Sequence, residues 1–303
     1  MTGNLNITVM LGGPSEEREV SLLSGAAVTA ALRSLGHVVH QVDPREPSWQ
    51  LPSGTAVVFL ALHGSYGEDG TVQEQLEKLG VPYTGCGPEA SRLAFDKVLT
   101  KRRCVAAGVP TARFEVIDTH RAPWPGGWTP PVVLKPVCQG SSIGLQFVDK
   151  VEQWEAALAE AFRFDSRVLM EEKIEGRETT VGILGDRPLP VVEIRVRQGT
   201  FDYKNKYTPG AAQHICPANF DPSVTARIQA AAMAAFRTVG GRDYARVDVM
   251  VRGNGEPVVL EVNTLPGMTE ISVLPEAAAA AGLNFAQLCQ RMIDMALDRA
   301  SKK

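Results

Sequence analysis

Asp248 and Glu261 lie on neighbouring segments whose spacing lets them share one metal ion. The first sits in Arg246-Val-Asp248-Val-Met250, the second in Glu261-Val-Asn263-Thr-Leu-Pro-Gly267, with Arg252-Gly253-Asn254-Gly255-Glu256 between them. Asn-Gly flanked by alternating apolar residues signals a hairpin, because both turn positions tolerate positive φ. Taken as a two-residue turn, Asn254-Gly255 sets Gly253 opposite Glu256, and counting outward sets Asp248 opposite Glu261. Asp248, Met250, Val259, Glu261 and Asn263 then share one face, and Val247, Val249 and Val251 form an apolar one. Carboxylates opposed across strands repel each other. A hard divalent cation such as Mg²⁺, bound by carboxylate, amide and phosphate oxygens, resolves that repulsion. The plainer reading is a solvated outer face on which like charges are tolerated.

Other residues suggest phosphate. Lys135 ends an apolar run and precedes Gly140-Ser141-Ser142-Ile-Gly144. Glycines let backbone N–H groups approach an anion, hydroxyls add donors and a lysine adds charge. No Gly-Lys-Ser/Thr opens a helix here, so this is not a Walker A loop, and alone it reads equally as a flexible hairpin. Lys97, in Ala94-Phe-Asp-Lys97, reads alone as a solvated surface lysine. Glu171-Glu172-Lys173-Ile174 closes a strand whose edge could meet a flat base, and Glu178 could hold a ribose diol. A charged strand edge explains the same residues. Glu17 suits the first turn of a helix through the helix dipole alone. Yet it follows Gly12-Gly13 at the carboxyl end of the leading strand, where open α/β sheets bind ligands. His63, at the end of a neighbouring strand, points to the same crevice. Residues 201–217, with Tyr203, Lys204, Lys206 and Tyr207, read as a lid that shields chemistry from water.

The elements that must position these groups follow from hydrophobic patterning. Strands at 5–11, 38–42 and 56–62 alternate with helices at 16–35 (capped by Ser15) and 72–79. This β-α-β rhythm implies a parallel sheet over roughly the first ninety residues. A helix at 89–107 leads to a small α+β block with strands at 131–134, 145–148 and 168–172 and a helix at 152–162. A strand at 178–184, the carboxylate hairpin and an Ala-rich helix at 285–300 complete the chain. With 303 residues there is room for two or three domains. The net charge of −3 gives no electrostatic reason to expect nucleic acid or an anionic membrane as partner. No run approaches the ~18 apolar residues of a membrane span, and the first residues lack a signal-peptide pattern. Five widely spaced cysteines argue for reduced thiols in a cytoplasmic protein.

Taken together, these residues resemble the ATP-grasp superfamily, and within it the D-alanine–D-alanine ligase family of bacterial cell-wall synthesis. The resemblance rests on motifs spread over almost the whole chain. They are Gly12-Gly-Pro-Ser-Glu-Glu17-Arg-Glu-Val-Ser21, Ala61-Leu-His63-Gly-Ser-Tyr-Gly-Glu-Asp-Gly70, Pro82-Tyr-Thr-Gly85, Leu134-Lys135-Pro with Gly140-Ser-Ser-Ile-Gly144, Lys206-Tyr207, Arg246-Val-Asp248, and Glu261-Val-Asn263-Thr-Leu-Pro-Gly-Met268. It implies an α/β and α+β protein, an ATP-grasp fold with an N-terminal parallel-sheet domain. The implied units are an N-terminal substrate domain at 1–90, a central subdomain at 91–178 and a C-terminal subdomain at 179–303 with the metal site and lid.

The resemblance also implies roles. Lys97, Lys135 and Lys206 contact ATP. Glu171, Glu172, Ile174 and Glu178 hold adenine and ribose. Asp248, Glu261 and Asn263 bind two Mg²⁺, with Mn²⁺ an alternative ion. Glu17 and His63 lie at the first D-alanine, and Ser272 at the carboxylate of the second. Glu17, Ser141 and Tyr207 form a hydrogen-bonded set, and Arg246 and the N–H of Gly267 steady an oxyanion. The implied reaction makes D-alanyl-D-alanine through an acyl phosphate, for peptidoglycan precursors, in a cytoplasmic homodimer with ATP and D-alanine as partners. Cys138-Gln139 and Glu172-Lys173 depart from the family pattern. A D-alanyl-D-lactate or other D-amino-acid ligase, and a silent nucleotide-binding module, are the alternatives. A dinucleotide oxidoreductase would need Gly-x-Gly-x-x-Gly where this chain has Gly-Gly-Pro-Ser-Glu-Glu.

Overall fold

Residues 3–46, 48–196 and 212–302 are described by a computed structural model. Among them the strands form three sheets. In the first, β1 (Asn6–Met10) lies between β2 (Val38–Val42) and β3 (Val57–Leu60), all parallel. Helix α1 (Arg18–Ser34) links β1 to β2, β2 runs to β3 without a helix among the described residues, and α2 (Thr71–Leu79) follows β3. Parallel strands covered on both faces read as continuous apolar runs, and β3, Val-Val-Phe-Leu, is buried throughout. The helix expected to begin at residue 16 starts two residues later, and Ser15 does not cap it in the ordinary way. Its hydroxyl donates to His63 O (2.6 Å) and accepts from the Glu17 N–H (3.2 Å). The turn is thereby tied to the end of β3, and Glu17 is turned inward.

The single helix expected over 89–107 is two, α3 (Pro88–Phe95) and α4 (Lys97–Ala106). Asp96 breaks it with an extended backbone and caps α4 by accepting from the Leu99 N–H at 2.9 Å. Its other oxygen takes a hydrogen bond from Arg167 at 2.7 Å. The break places Lys97 at the first position of a helix instead of on a solvated face.

The central sheet runs β4-β7-β5-β6: β4 (Phe114–Ile117), β5 (Val132–Pro136), β6 (Gln146–Val148) and β7 (Val168–Glu172). Helix α5 (Trp154–Ala161) covers it with Trp154, Ala157 and Leu158. Strand β7 is interior, paired on both sides, so Glu171 and Glu172 are not on the sheet edge that their charge suggested. The third sheet runs β10-β9-β8-β11-β12: β8 (Arg177–Leu184), β9 (Arg187–Val196), β10 (Ala212–Ile215), β11 (Tyr244–Val251) and β12 (Pro257–Asn263). Helix α6 (Pro222–Thr238) packs on it, and α7 (Val273–Ala280) and α8 (Phe285–Ala300) follow.

Helix α8 does not serve the sheet nearest to it in sequence alone. Leu288, Cys289, Met292, Ile293 and Ala296, at helical spacing, are buried in one core with Ile7, Val28, Leu32 and Val57 of the N-terminal layer. Burying the Leu, Met and Ile side chains contributes on the order of 5 kcal/mol. The end of the chain thus completes the core of its beginning.

The hairpin reaches the expected pairing by a different route. Arg252 N–H donates to Glu256 O (2.9 Å) and Gly255 N–H to Arg252 O (2.8 Å), so the turn has three residues, Gly253-Asn254-Gly255. Gly255 takes the left-handed position at φ +77° that such a loop requires. This shifts the register by one residue, pairing Val249 with Val259. A bulge at Leu260 shifts it back, and Asp248 pairs with Glu261 after all. Val259 therefore lies on the core side, 1% exposed, not on the face of Asp248 and Glu261. Val247, Val249 and Val251 are buried as the alternation predicted.

Gly25 in α1 packs closely against Leu11, the residue after β1. A Cβ there would stand 2.3 Å from Leu11 Cβ. Gly25→Ala should destabilise the protein by about 1–3 kcal/mol through overpacking, read by urea unfolding. Stabilisation by the ~1 kcal/mol that helix propensity alone favours would show that the contact relaxes freely.

Candidate active site

A cleft of about 540 Å³ opens between the central and C-terminal sheets. Lys97, Lys135, Glu171, Glu172, Ile174, Glu178, Asp248 and Glu261 all line it. Residues spread over 165 positions of sequence, from 97 to 261, are thus collected by five strands, the segment after β7 and the start of α4. Phe147, Ile143, Leu145, Met250 and Leu260 supply an apolar part to the same cleft.

The opposed carboxylates are held by cations of the chain itself. Arg246 grips Asp248 with two parallel bonds, Nε to Oδ1 and Nη2 to Oδ2, both 2.8 Å. The same guanidinium lies 3.6 Å from Glu261 Oε1, and Lys97 Nζ lies 3.6 Å from Glu261 Oε2. Thr180 Oγ1 donates to Asp248 Oδ1 at 2.7 Å. Burial works against the charge on Arg246, but Asp248 and Glu261 outweigh it and its pKa rises. The Asn263 amide oxygen accepts from the Leu265 N–H at 3.0 Å. Two carboxylates and an amide are hard oxygen donors, and they fit a divalent cation that takes its remaining ligands from phosphate and water. Among the described residues no cluster of three or more acidic, His or Cys groups is gathered as a closed metal cage.

Glu171 differs from its expected place at the base. Its carboxylate is 2% exposed and lies between two ammonium groups, Lys101 and Lys135, the latter at 2.5 Å. Burial alone would raise its pKa, but the two lysines bring it down to about 2. Glu172 accepts instead from Arg252 Nη2 at 2.9 Å. Lys97 Nζ donates to Gln139 O at 2.5 Å, which anchors the loop after Lys135. In that loop Ser141 (φ 51°) and Ser142 (φ 58°) both take the left-handed conformation, uncommon outside glycine. Consecutive turns of this kind present backbone N–H groups to an anion.

The N-terminal unit closes the loop side. Ser141 Oγ donates to Glu17 Oε1 across 124 residues of sequence. Gly140 lets the loop approach Glu17 closely: a Cβ there would lie 2.6 Å from Glu17 Oε2, so the carboxylate would have to shift. His63 is fully committed: its Nδ1 is 2.9 Å from Leu265 O and its Nε2 is 3.1 Å from Ser24 Oγ, which accepts from the Met268 N–H at 3.2 Å. The pattern fits the neutral tautomer with the proton on Nδ1. His63 thus latches the first sheet to the segment after β12. Gly267 sits against Ser272, whose hydroxyl accepts from the Thr269 N–H at 3.0 Å. Lys206 and Tyr207 lie outside the described residues.

Three polar residues of the site escaped the sequence reading. Glu68 is 7% exposed and lines a small pocket with Ser141, Glu261 and Asn263. Burial first, then the charges of Glu17 and Glu261, push its carboxyl well above the usual range. It stands inside the motif Gly-Glu68-Asp-Gly, so a signal was present without a role. Lys101 and Thr180 carried no signal beyond Lys101 standing one helical turn after Lys97.

Family models place this architecture. The model described as the D-ala D-ala ligase C-terminus matches residues 106–294, and the D-ala D-ala ligase N-terminus model matches 37–86. The chain belongs to the D-alanine–D-alanine ligase family. A D-alanine–D-alanine ligase of Methylacidiphilum infernorum is 44% identical over 291 residues, covering 96% of this chain and 95% of that one. The Bacillus anthracis ligase solved with ATP superposes with a TM-score of 0.85 at 30% identity, over 98% of this chain and 99% of that chain. The VanG D-Ala:D-Ser ligase of Enterococcus faecalis gives a TM-score of 0.84, also at 30% identity, over 96% and 99%.

The latch has a pH signature in this ligase-family chain. Burial, the largest cause, pushes His63 below its ordinary pKa. A depressed folded value means that the stability it contributes is present above the unfolded pKa of ~6.5 and is lost as pH falls further. Glu171, also depressed, contributes above the unfolded value of ~4.3 and loses its contribution down towards its folded pKa. Glu68, whose carboxyl is raised, acts in the opposite sense as pH falls through its folded pKa, so the His63 contribution is read below about pH 6.5 as the difference in melting temperature between the protein and His63→Asn. His63→Asn should flatten the fall between neutrality and pH ~5, while leaving the steeper acid limb. An unchanged slope in that variant would assign the transition to other groups.

Proposed function

We propose that the chain joins two D-alanine molecules to D-alanyl-D-alanine, converting ATP to ADP and phosphate, in a cleft that holds ATP with Mg²⁺. The observation that carries the reading is the meeting of phosphate-binding lysines and opposed carboxylates in one cleft, closed on the loop side by Glu17 and Ser141. ATP-dependent ligation of D-alanine is the family's activity, and the matches span nearly the whole chain.

Lys97 and Lys135 set positive charge where polyphosphate lies, and the left-handed serines add backbone donors. Phosphoryl transfer to a D-alanine carboxylate needs mainly positioning and charge neutralisation, which these groups provide. Asp248, Glu261 and Asn263 would hold Mg²⁺, and the ion would supply charge neutralisation at the phosphates. Arg246, preorganised on Asp248, offers a fixed positive charge to the oxyanion formed when the second amine attacks the acyl phosphate. Glu17, buried at 7% exposure, suits the ammonium of the first D-alanine, with the His63 wall beside it. Ser272 suits the second carboxylate. Glu172, Ile174 and Glu178 line the part of the cleft suited to adenine and ribose. Lys206 and Tyr207 keep the roles implied by the resemblance. We also read the units as dividing near residues 90 and 178, and the protein as a cytoplasmic homodimer serving peptidoglycan synthesis. No helix among the described residues is long and apolar enough to cross a membrane.

The likeness to a D-Ala:D-Ser ligase keeps one alternative in view, a different second substrate. Phosphate release from Mg·ATP with D-alanine alone, and with D-serine or D-lactate added, separates the two when products are identified by mass. The dipeptide D-alanyl-D-alanine should dominate at neutral pH. A mixed product in its place would overturn the substrate reading. Asp248→Asn and Glu261→Gln, which keep shape and remove charge, should each lower turnover by about a hundredfold or more. Undiminished activity in either variant would remove that side chain from the metal set.

A further inference from the structure

We propose that Lys101 is a positioning residue for ATP, acting through Glu171 to keep the charge of Lys135 available to phosphate. The inference rests on the reading of Lys135 as a phosphate ligand. Lys101 is 1% exposed and belongs to none of the roles assigned above. An ammonium so deeply buried persists only when it is paired and hydrogen-bonded. It has both kinds of partner: its Nζ faces Glu171 Oε1, donates to Thr111 Oγ1 at 2.6 Å, and stands 5.4 Å from the centre of the Phe114 ring.

The geometry divides one carboxylate between two lysines. Glu171 gives Oε1 to Lys101 and Oε2 to Lys135. With a single lysine, Glu171 and Lys135 would form a neutral buried pair, and the carboxylate would hold Lys135 back from an anion. With two lysines the trio carries a net positive charge. Lys135, 15% exposed beside 1% and 2% for the other two, is the member that opens onto the cleft. Lys101 thus counterbalances Glu171, and the surplus charge is presented through Lys135.

The same lysine ties the trio to the metal hairpin. Thr111 Oγ1, which accepts from Lys101, donates to Val259 O at 2.9 Å, and the Val259 N–H donates to Pro110 O at 2.8 Å. Val259 immediately precedes the Leu260 bulge that returns Glu261 to its place opposite Asp248. A continuous path of polar contacts therefore runs from Lys135 through Glu171, Lys101 and Thr111 to the strand carrying Glu261. It sets the phosphate lysine and the metal carboxylates at a fixed separation.

The test is steady-state kinetics of the full chain bearing Lys101→Met, with ATP and D-alanine varied separately and adenosine as a competing ligand. The KM for ATP should rise about tenfold, the effect of one charge-assisted contact, while the KM for D-alanine and the inhibition constant of adenosine stay unchanged. A merely structural role would reduce the active fraction, lowering kcat and leaving every KM where it was; that result overturns the proposal. Equal weakening of ATP and adenosine also overturns it, because the effect would then lie on the cleft as a whole. Lys135→Met separates the two layers of argument. If it leaves the KM for ATP unchanged, the phosphate reading fails; if it raises that KM and Lys101→Met does not, only the present inference fails. Should Lys101→Met not accumulate as folded protein, Thr111→Val decides. It removes the anchor of Lys101 and should raise the KM for ATP in the same selective way, and an unchanged value counts against the proposal.

Discussion

Two carboxylates facing each other across a β-hairpin are the constraint around which this protein is organised. Left alone, Asp248 and Glu261 would destabilise the strands that carry them. Arg246 and Lys97 offset the repulsion from the two sides, one from the same strand and one from a helix of another unit. Lys97 can do so only because Asp96 breaks the helix and turns the lysine towards the cleft. The need to neutralise the pair thus reaches into the helix boundaries of another part of the chain. An arrangement of this kind is costly to hold for stability alone, since buried charges lose hydration that their partners rarely repay in full. On the proposed function, its value lies in being ready for a polyanion and the metal ion proposed to accompany it.

Beside the apolar core shared by the beginning and end of the chain, two polar contacts join its parts at the site itself. His63 reaches the segment after β12 through Leu265 and, by way of Ser24, Met268. Ser141 reaches Glu17 from the phosphate loop. Both contacts end on groups proposed to meet substrate or on their immediate neighbours. The geometry of the substrate pocket therefore depends on how the units sit together, and a change at one junction is felt at the chemistry.

Much of this was legible in the chain, and the exceptions have identifiable causes. The alternation Val247, Val249, Val251 gave the buried face of β11 directly, because a period of two reports burial on one side. The opposition of Asp248 and Glu261 was also correct, but by compensation. A three-residue turn moved the register one way and the Leu260 bulge moved it back. A bulge leaves no trace in composition, so Val259 was placed on the wrong face. The break at Asp96 was hidden because Ala94-Phe-Asp-Lys is compatible with continuous helix, and it is Arg167, seventy-one residues away, that shares Asp96. Glu171 read as a charged strand edge because local sequence does not show that β7 has neighbours on both sides. Of the site, the lysines and acids were visible by type and motif. Lys101, Thr180 and the commitment of Arg246 to Asp248 were not, since each acts through a partner that only the fold supplies.

Helix α8 carries a consequence for how the molecule is made. Its apolar stripe fills the core shared with α1 and the first sheet, yet it is translated after nearly everything else. During synthesis the first sheet emerges early with one flank uncovered, and it waits for some 240 further residues before its cover arrives. The first sheet thus precedes α8 in the chain and waits for it to be finished. A chain interrupted before α8 would present that bare apolar flank to chaperones and proteases.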